Sequence, residues 1–352
     1  MKFKNFIQQE PAWVKSEGQF SHIILFTAAR FARNLAGFRF CGKDGQPQAA
    51  AAGVEQGAAL EALSGGFTVT AESADFGTKR ALAERYIFEG DPYSSAPATA
   101  VIAKEMALSV NDREHIKVFA FEPGLAPAAA LAKAKNATDE LGRKIPYSFS
   151  RDFGFLTAAP REAGTGLKIF ALANLPALEL AGRTADVLKT LPNLRLNHTP
   201  LNAETFALSG PLHIISNMTT LCAAPEEIAA ALERGLRFLI TAEQTTRIEL
   251  ASGPERIKME DSAFRAMALL QNARSISYEE TAVLLSNAML GLAMGYDLKV
   301  KQDALSWLLT ACKPGHIALA CATAKHKPTP QERDVLRAAL LRKTLTLPQE
   351  SI

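Results

Sequence analysis

Three short runs of this sequence gather side chains that suit anions. In TAARFARN, Arg30 and Arg33 lie within one turn of each other. In REAGTGLK, Gly164, Thr165 and Gly166 can offer backbone amides to a phosphate, with Lys168 beside them. In TPQERDVLRAALLR, Thr329 can cap a helix that starts at Pro330, and Glu332 completes a capping box. Arg333 and Arg337 then stand at i and i+4 near the helix start, where two guanidiniums and the N-terminal dipole suit a phosphoryl group. Asp334 adjoins them and can accept from a guanidinium. Plainer readings exist for each run. A glycine-containing loop between strands is usually a turn, and the last run also reads as a solvated face with an Asp334–Arg337 ion pair. REAGTGLK is not a P-loop, because it lacks the GK[ST] ending and its spacing. No HExxH or GxSxG occurs, the six histidines are scattered, and His115 reads as structural.

The elements that must position these residues follow from hydropathy patterning. Ser21 to Phe26 is a short apolar strand or segment leading into the arginine run. Residues 44–66 are rich in Ala and Gly and fit a helix between loose ends. Thr78 to Ile87 reads as a helix, and Thr99 to Val110 as two short strands. His115 to Phe121 alternates, with Ile116, Val118 and Ala120 on one face and His115, Lys117 and Phe119 on the other. Glu122-Pro123-Gly124 closes that strand. Leu125 to Leu141 is helical, Phe153 to Thr157 and Leu167 to Ala171 are strands, Pro176 to Leu191 is a helix with Pro in its first turn, and Leu212 to Ile215 is a strand. Pro225 to Thr246 is a long amphipathic helix with Ile228, Leu232, Leu236 and Leu239 on its stripe. Beyond Gly253-Pro254 only helical patterns occur, over 260–273, 277–295, 302–312 and 330–344. The fold class is therefore α+β, with a mixed body over 1–254 and an all-helical part over 255–352.

The 352 residues are 48% apolar and 21% charged, with a net charge of +3, which suits a core-forming chain and excludes a generic polyanion binder. No nucleic-acid partner is expected. Cys41, Cys222, Cys312 and Cys321 have no CxxC spacing and form no disulfide framework, so free or buried thiols in a reducing compartment are expected. The first residues lack an apolar h-region, and no window approaches 18 consecutive apolar residues. A soluble cytoplasmic protein without a membrane partner is the expectation.

The ordered segments together resemble the bacterial protein arginine kinases (McsB type) of the ATP:guanido phosphotransferase family. The likeness runs through Ala32-Arg33-Asn34-Leu35 and Phe38-Arg39-Phe40, then Asn111-Asp112-Arg113-Glu114-His115 and Glu122-Pro123-Gly124-Leu125. It continues in Gly154-Phe155-Leu156-Thr157, in Pro160 through Gly164-Thr165-Gly166-Leu167-Lys168, in Leu175 to Leu178 and in Ile215-Ser216-Asn217. It ends with Arg333-Asp334-Val335-Leu336-Arg337-Ala338, which matches the family's RDxxRA in full. The resemblance implies a phosphagen-kinase-like antiparallel sheet flanked by helices, with a helical C-terminal domain that binds phosphoarginine and dimerises.

The resemblance also marks departures. Family members clamp the ATP phosphates with several arginines, since transfer rests on positioning and charge neutralisation. Here Arg30 is kept, Ala28 replaces one arginine, Lys117 and Lys168 replace two more, and Thr199 aligns with another. Lysine keeps the charge and loses the bidentate fork. Ala159 stands where the family has a reactive cysteine, Arg113 stands where it has a catalytic carboxylate, and Glu204 aligns with the second carboxylate. A guanidinium facing a guanidinium at ~4 Å costs roughly 4 kcal/mol at an effective dielectric near 20. These departures lead to the expectation of a pseudokinase: no firm catalytic residue, no metal site and no tightly bound cofactor, with Arg333, Asp334 and Arg337 binding phosphoarginine or arginine-phosphorylated proteins. A true arginine kinase or its activator is a further expected partner. The alternative is a divergent protein arginine kinase using Mg-ATP, with Arg30, Lys117 and Lys168 on the phosphates and Glu204 on the acceptor. A third reading is a structural partner that dimerises through its helices.

Overall fold

A computed structural model describes residues 6–40, 66–71, 75–90, 92–93, 97–201, 210–221, 223–321 and 328–346. The helix expected over 44–66, Cys41, Cys222 and Glu204 lie outside the described residues, apart from Gly66 at the end of that helix. Strands β1 (Ile24–Arg33), β2 (Phe67–Ala71), β3 (Ala98–Ile102), β4 (Met106–Asp112), β5 (Glu114–Pro123), β8 (Leu167–Asn174), β9 (Leu196–Pro200) and β10 (Leu212–Asn217) form one sheet in the order β2-β3-β4-β5-β1-β8-β10-β9. Every pairing in it is antiparallel. A two-stranded ribbon, β6 (Phe149–Ser150) and β7 (Gly154–Phe155), stands apart.

The central strand β1 is wholly buried along its length. Its apolar start and its arginine run are one strand, longer than the segment expected from Ser21 to Phe26. Alternation sends Ala29 and Phe31 to one face of the sheet, where Ala120, Ile169, Ala171 and Ile215 join them. Helices α2 (Pro127–Lys144) and α5 (Pro225–Ser252) cover that face with Ala130, Leu131, Leu232 and Leu236. The other face carries Phe26, Ala28, Phe119, Phe121, Phe170 and Leu172. These residues share one core with the C-terminal helices α6 (Arg256–Asn272), α7 (Tyr278–Ala293), α8 (Gln302–Ala311) and α10 (Pro330–Thr346), through Met267, Leu285, Met289, Leu309 and Leu341.

Three helical segments and one strand differ from expectation. The helix expected over 176–191 breaks into α3 (Pro176–Leu180), α4 (Thr184–Leu188) and a 3-10 turn at Leu191–Leu194. Gly182 makes the first break: its φ of +68 is a left-handed turn that ends α3. A short helix α9 (Pro314–Cys321) was not legible in the pattern, because apolar residues surround it without a period. Helix α1 (Phe76–Glu84) starts two residues earlier than expected, where the Asp75 carboxylate accepts from the Thr78 amide. The strand expected over 153–157 shortens to Gly154–Phe155. Among the described residues, no helix is long and apolar enough to cross a membrane.

Candidate active site

On the face that carries Phe26 and Ala28, the next outward residue of β1 is Arg30. Lys168 lies directly opposite it on β8, and Lys117 on β5 lies opposite Ala32, one pleat further along. Three cations from three adjacent strands therefore share one face. The Arg30 side chain is fully buried, Lys117 is nearly so, and Lys168 is 40% exposed. Buried cations need compensating acids, since an unpaired buried charge is among the costliest groups in a fold.

Three carboxylates meet that need. Glu89, in the segment after α1, contacts Arg30 at 2.8 Å, Lys117 at 3.1 Å and Lys168 at 3.0 Å. Glu162, in the 3-10 turn Pro160–Glu162, takes the other arm of Arg30 at 2.7 Å, with a second contact at 3.3 Å. Asp112, at the end of β4, accepts from Lys117 at 3.2 Å and from the Glu89 amide at 2.7 Å. Burial pushes the Glu89 carboxyl up, but Arg30, Lys117 and Lys168 together hold it well below the usual carboxylate range. Burial likewise raises Glu162, and Arg30 more than offsets it. For Lys117, burial lowers the ammonium, while Asp112 and Glu89 raise it further. Among the described residues, the buried Nε of Arg30 and Oδ1 of Asp112 in this seat have no hydrogen-bond partner.

Two of the glycine loop's three amides are turned into the protein, in keeping with the plainer reading of a turn. Gly164 N donates to Phe155 O at 3.1 Å and Thr165 N to Thr220 O at 3.4 Å, so both amides are engaged within the protein. Gly166, at φ +65, brings the loop against β1: a Cβ there would lie 2.6 Å from Ala32 O. Arg33 fixes the same turn. Its Nη1 donates to Ala32 O and Thr165 O, and its guanidinium lies 3.7 Å from the centre of the Phe155 ring. Arg33 is thus a structural clamp.

Arg113 sits at the apex of the β4–β5 hairpin, exposed, with φ +57. Its neighbour Glu114 is buried and accepts from Asn34 Nδ2, from Ala158 N at 2.8 Å and from Ala159 N at 3.2 Å. Asn34 Oδ1 in turn accepts from His115 N at 2.9 Å, and His115 Nδ1 accepts from Leu35 N at 3.0 Å. His115 is therefore structural, as expected. Ala159 caps the turn that carries Glu162. Thr199 lies on β9 opposite Ile214 and is exposed.

The C-terminal trio separates. The capping box forms as expected, with Thr329 N donating to Glu332 at 2.7 Å and Glu332 N to Thr329 Oγ1 at 3.3 Å. Arg333 walls a cavity of about 660 Å³ together with Arg80, Glu84, Tyr86, Tyr93 and Lys313. Arg337 is only 2% exposed and lies beneath: its guanidinium donates to Cys312 O and Ile276 O, each at 2.8 Å, and pairs with Asp334. The Asp334–Arg337 ion pair is present, but Arg337 is on no solvated face.

A polar knot joins α1 to α9 beside the cavity. Glu84 accepts from His316 Nδ1 at 2.8 Å and from Gly315 N at 2.7 Å, and Arg85 Nε donates to His316 Nε2 at 3.0 Å. Sequence reasoning missed this knot, and it missed Glu89 and Glu162 as partners of the cations. Three cations aimed at one face announce that acids must be near, yet nothing local in the chain says which acids arrive. Among the described residues, no group of three or more His, Cys, Asp or Glu is arranged to hold a metal ion.

The ATP:guanido phosphotransferase C-terminal catalytic domain matches residues 68–246, and the C-terminal domain of protein-arginine kinase McsB matches residues 256–352. The protein-arginine kinase of Symbiobacterium thermophilum is 33% identical, covering 96% of this chain and 97% of its own. That of Geobacillus thermodenitrificans is 30% identical, covering 99% and 97%. A duplicated taurocyamine kinase from Schistosoma mansoni has a similar fold, with a TM-score of 0.55 at 17% identity over 78% of this chain; the match spans 42% of that longer protein.

Proposed function

Because this chain belongs to the ATP:guanido phosphotransferase family, and within it to the protein-arginine kinases, we propose that it transfers the γ-phosphoryl group of ATP to arginine side chains of proteins. The observation that carries this reading is the convergence of Arg30, Lys117 and Lys168 from three neighbouring strands on one face. Phosphoryl transfer asks little covalent chemistry of a protein and much positioning and charge neutralisation. Arg30 supplies a fork for two phosphate oxygens, and the two ammonium groups supply point charges beside it. The unpartnered Nε of Arg30 fits an incoming phosphate oxygen. Magnesium enters with the nucleotide, whose oxygens hold it, and neutralises phosphate charge there.

The test is incubation with Mg-ATP and an arginine-rich protein, followed by detection of acid-labile phosphate. Turnover that falls at least a hundredfold in Lys168→Ala supports the reading. Absence of turnover in a preparation that binds ATP overturns it.

A second reading draws on a specific observation: Ala159 supplies no thiol, and Arg113 supplies no carboxylate at the hairpin beside the seat. On that reading the chain is a pseudokinase that binds phosphoarginine at the Arg333 wall of the cavity and regulates an active kinase. Calorimetry with free phosphoarginine separates the two. Equal binding by the wild type and Arg333→Ala removes the second reading's site.

A further inference from the structure

The cationic seat already holds two anions of its own. We propose that Glu89 and Glu162 are displaceable occupants of the phosphate seat, and that a polyphosphate enters by exchanging with them. The proposal rests on the reading of the Arg30–Lys117–Lys168 face as a phosphate seat and adds how that seat is kept when empty of substrate.

The geometry of the two acids carries the argument. Glu89 bridges all three cations, at 2.8, 3.1 and 3.0 Å. Glu162 takes Arg30 Nη1 at 2.7 Å with one carboxylate oxygen and reaches Nη2, which Glu89 also holds, at 3.3 Å with the other. A carboxylate presents oxygens to a guanidinium in the same bidentate way as a phosphate does. The two acids therefore make the contacts that phosphate oxygens would make.

Their attachment differs from that of the third acid. Asp112 belongs to a strand, and its Oδ2 also accepts from the Glu89 amide and Ser109. Glu89 and Glu162 come from outside the sheet, on the segment after α1 and on a three-residue turn. Their side chains are 21% and 19% exposed, so each has a way out to water that Asp112 lacks. Exchange keeps the buried cations paired throughout, which avoids the cost of leaving them bare. With both acids withdrawn, the three cations face Asp112 alone and attract a multiply charged anion. With both in place, the seat is electrically balanced and selects against a singly charged one.

The experiment uses the full chain and two probes, inorganic pyrophosphate and ATP, in calorimetric titrations of wild type, Glu162→Gln and Glu89→Gln. Either substitution is expected to tighten pyrophosphate binding at least tenfold, since the amide competes poorly for Arg30. Glu89→Gln also strips three cations of a partner, so its melting temperature without ligand is expected to fall and to recover with pyrophosphate by more than the wild type gains. Pyrophosphate affinity that is unchanged or weaker in both variants overturns the proposal. If ATP still binds the wild type in that case, the phosphate-seat reading survives alone. Tighter pyrophosphate binding with no ATP binding in any protein supports the exchange and removes the nucleotide reading. Should Glu89→Gln fail to fold, Glu162→Gln decides, because it leaves the Glu89 contacts in place.

Discussion

Glu114 holds the backbone of Ala159: its carboxylate accepts the Ala159 amide at 3.2 Å and the Ala158 amide at 2.8 Å. This contact ties the β4–β5 hairpin to the turn that delivers Glu162 to Arg30. Replacing Glu114 with Gln turns one acceptor into a donor facing donors. The loss is expected to be about 1–3 kcal/mol of stability, read by urea denaturation. An unchanged midpoint would show that the anchor is dispensable.

The same hairpin offers a gain-of-function test. Arg113 at its apex and Ala159 across from Glu114 are the two acceptor-side positions where the sequence resemblance leads one to expect a carboxylate and a thiol. The double variant Arg113→Glu, Ala159→Cys is expected to raise acid-labile phosphate transfer at least tenfold over wild type. Equal rates would place the limit on transfer elsewhere in the site.

Arg333 and Arg337 are one helical turn apart and are expected to behave oppositely. Arg337→Leu strands the Cys312 and Ile276 carbonyls in a buried setting and is expected to cost about 2–4 kcal/mol. Arg333→Ala, at the cavity wall, is expected to change stability by less than about 1 kcal/mol. Denaturation curves of the two variants check this, and comparable losses would contradict the separation of roles.

His213 predicts a pH dependence. It is buried on β10 beside His198, their rings 5.8 Å apart. Burial, and secondarily His198, pushes its pKa from 6.5 down to about 4. Between those two values the unfolded chain binds a proton that the native chain refuses. Stability therefore falls as pH drops through that window, by about 1.4 kcal/mol per pH unit at most from this group, and the effect is absent above 6.5. His213→Gln should show a shallower loss than wild type between pH 6.5 and pH 4 in urea titrations. Parallel curves would exclude His213 as the source.

Much of the scaffold was legible because periodicity survives burial. Ile116, Val118 and Ala120 alternate with Lys117 and Phe119 on β5, and Ile228, Leu232, Leu236 and Leu239 mark the α5 stripe. Helices α6, α7, α8 and α10 lie within a few residues of where their patterns place them. Helix 176–191 was not legible as three pieces, since the left-handed Gly182 parts only the first two and just Lys189 and Thr190 stand before the third. The cationic half of the site was readable from Arg30, Lys117 and Lys168. Its anionic half was not, because Glu89 and Glu162 reach Arg30 from 59 and 132 residues away along the chain, a meeting made only by the tertiary fold. Arg337 shows the converse: its spacing from Arg333 suggested a shared face, and core packing turned it inward.

The aromatic half of the central sheet face has a consequence for how the molecule comes apart. Phe26, Phe170 and Leu172 share their core with Leu285, Met289 and Leu309 from beyond residue 254. The point where sequence character changes is thus not a seam of stability. Heat or denaturant should melt the sheet and the C-terminal helices in a single cooperative step, and a chain cut at residue 254 should aggregate through the bared phenylalanines instead of folding as a smaller kinase.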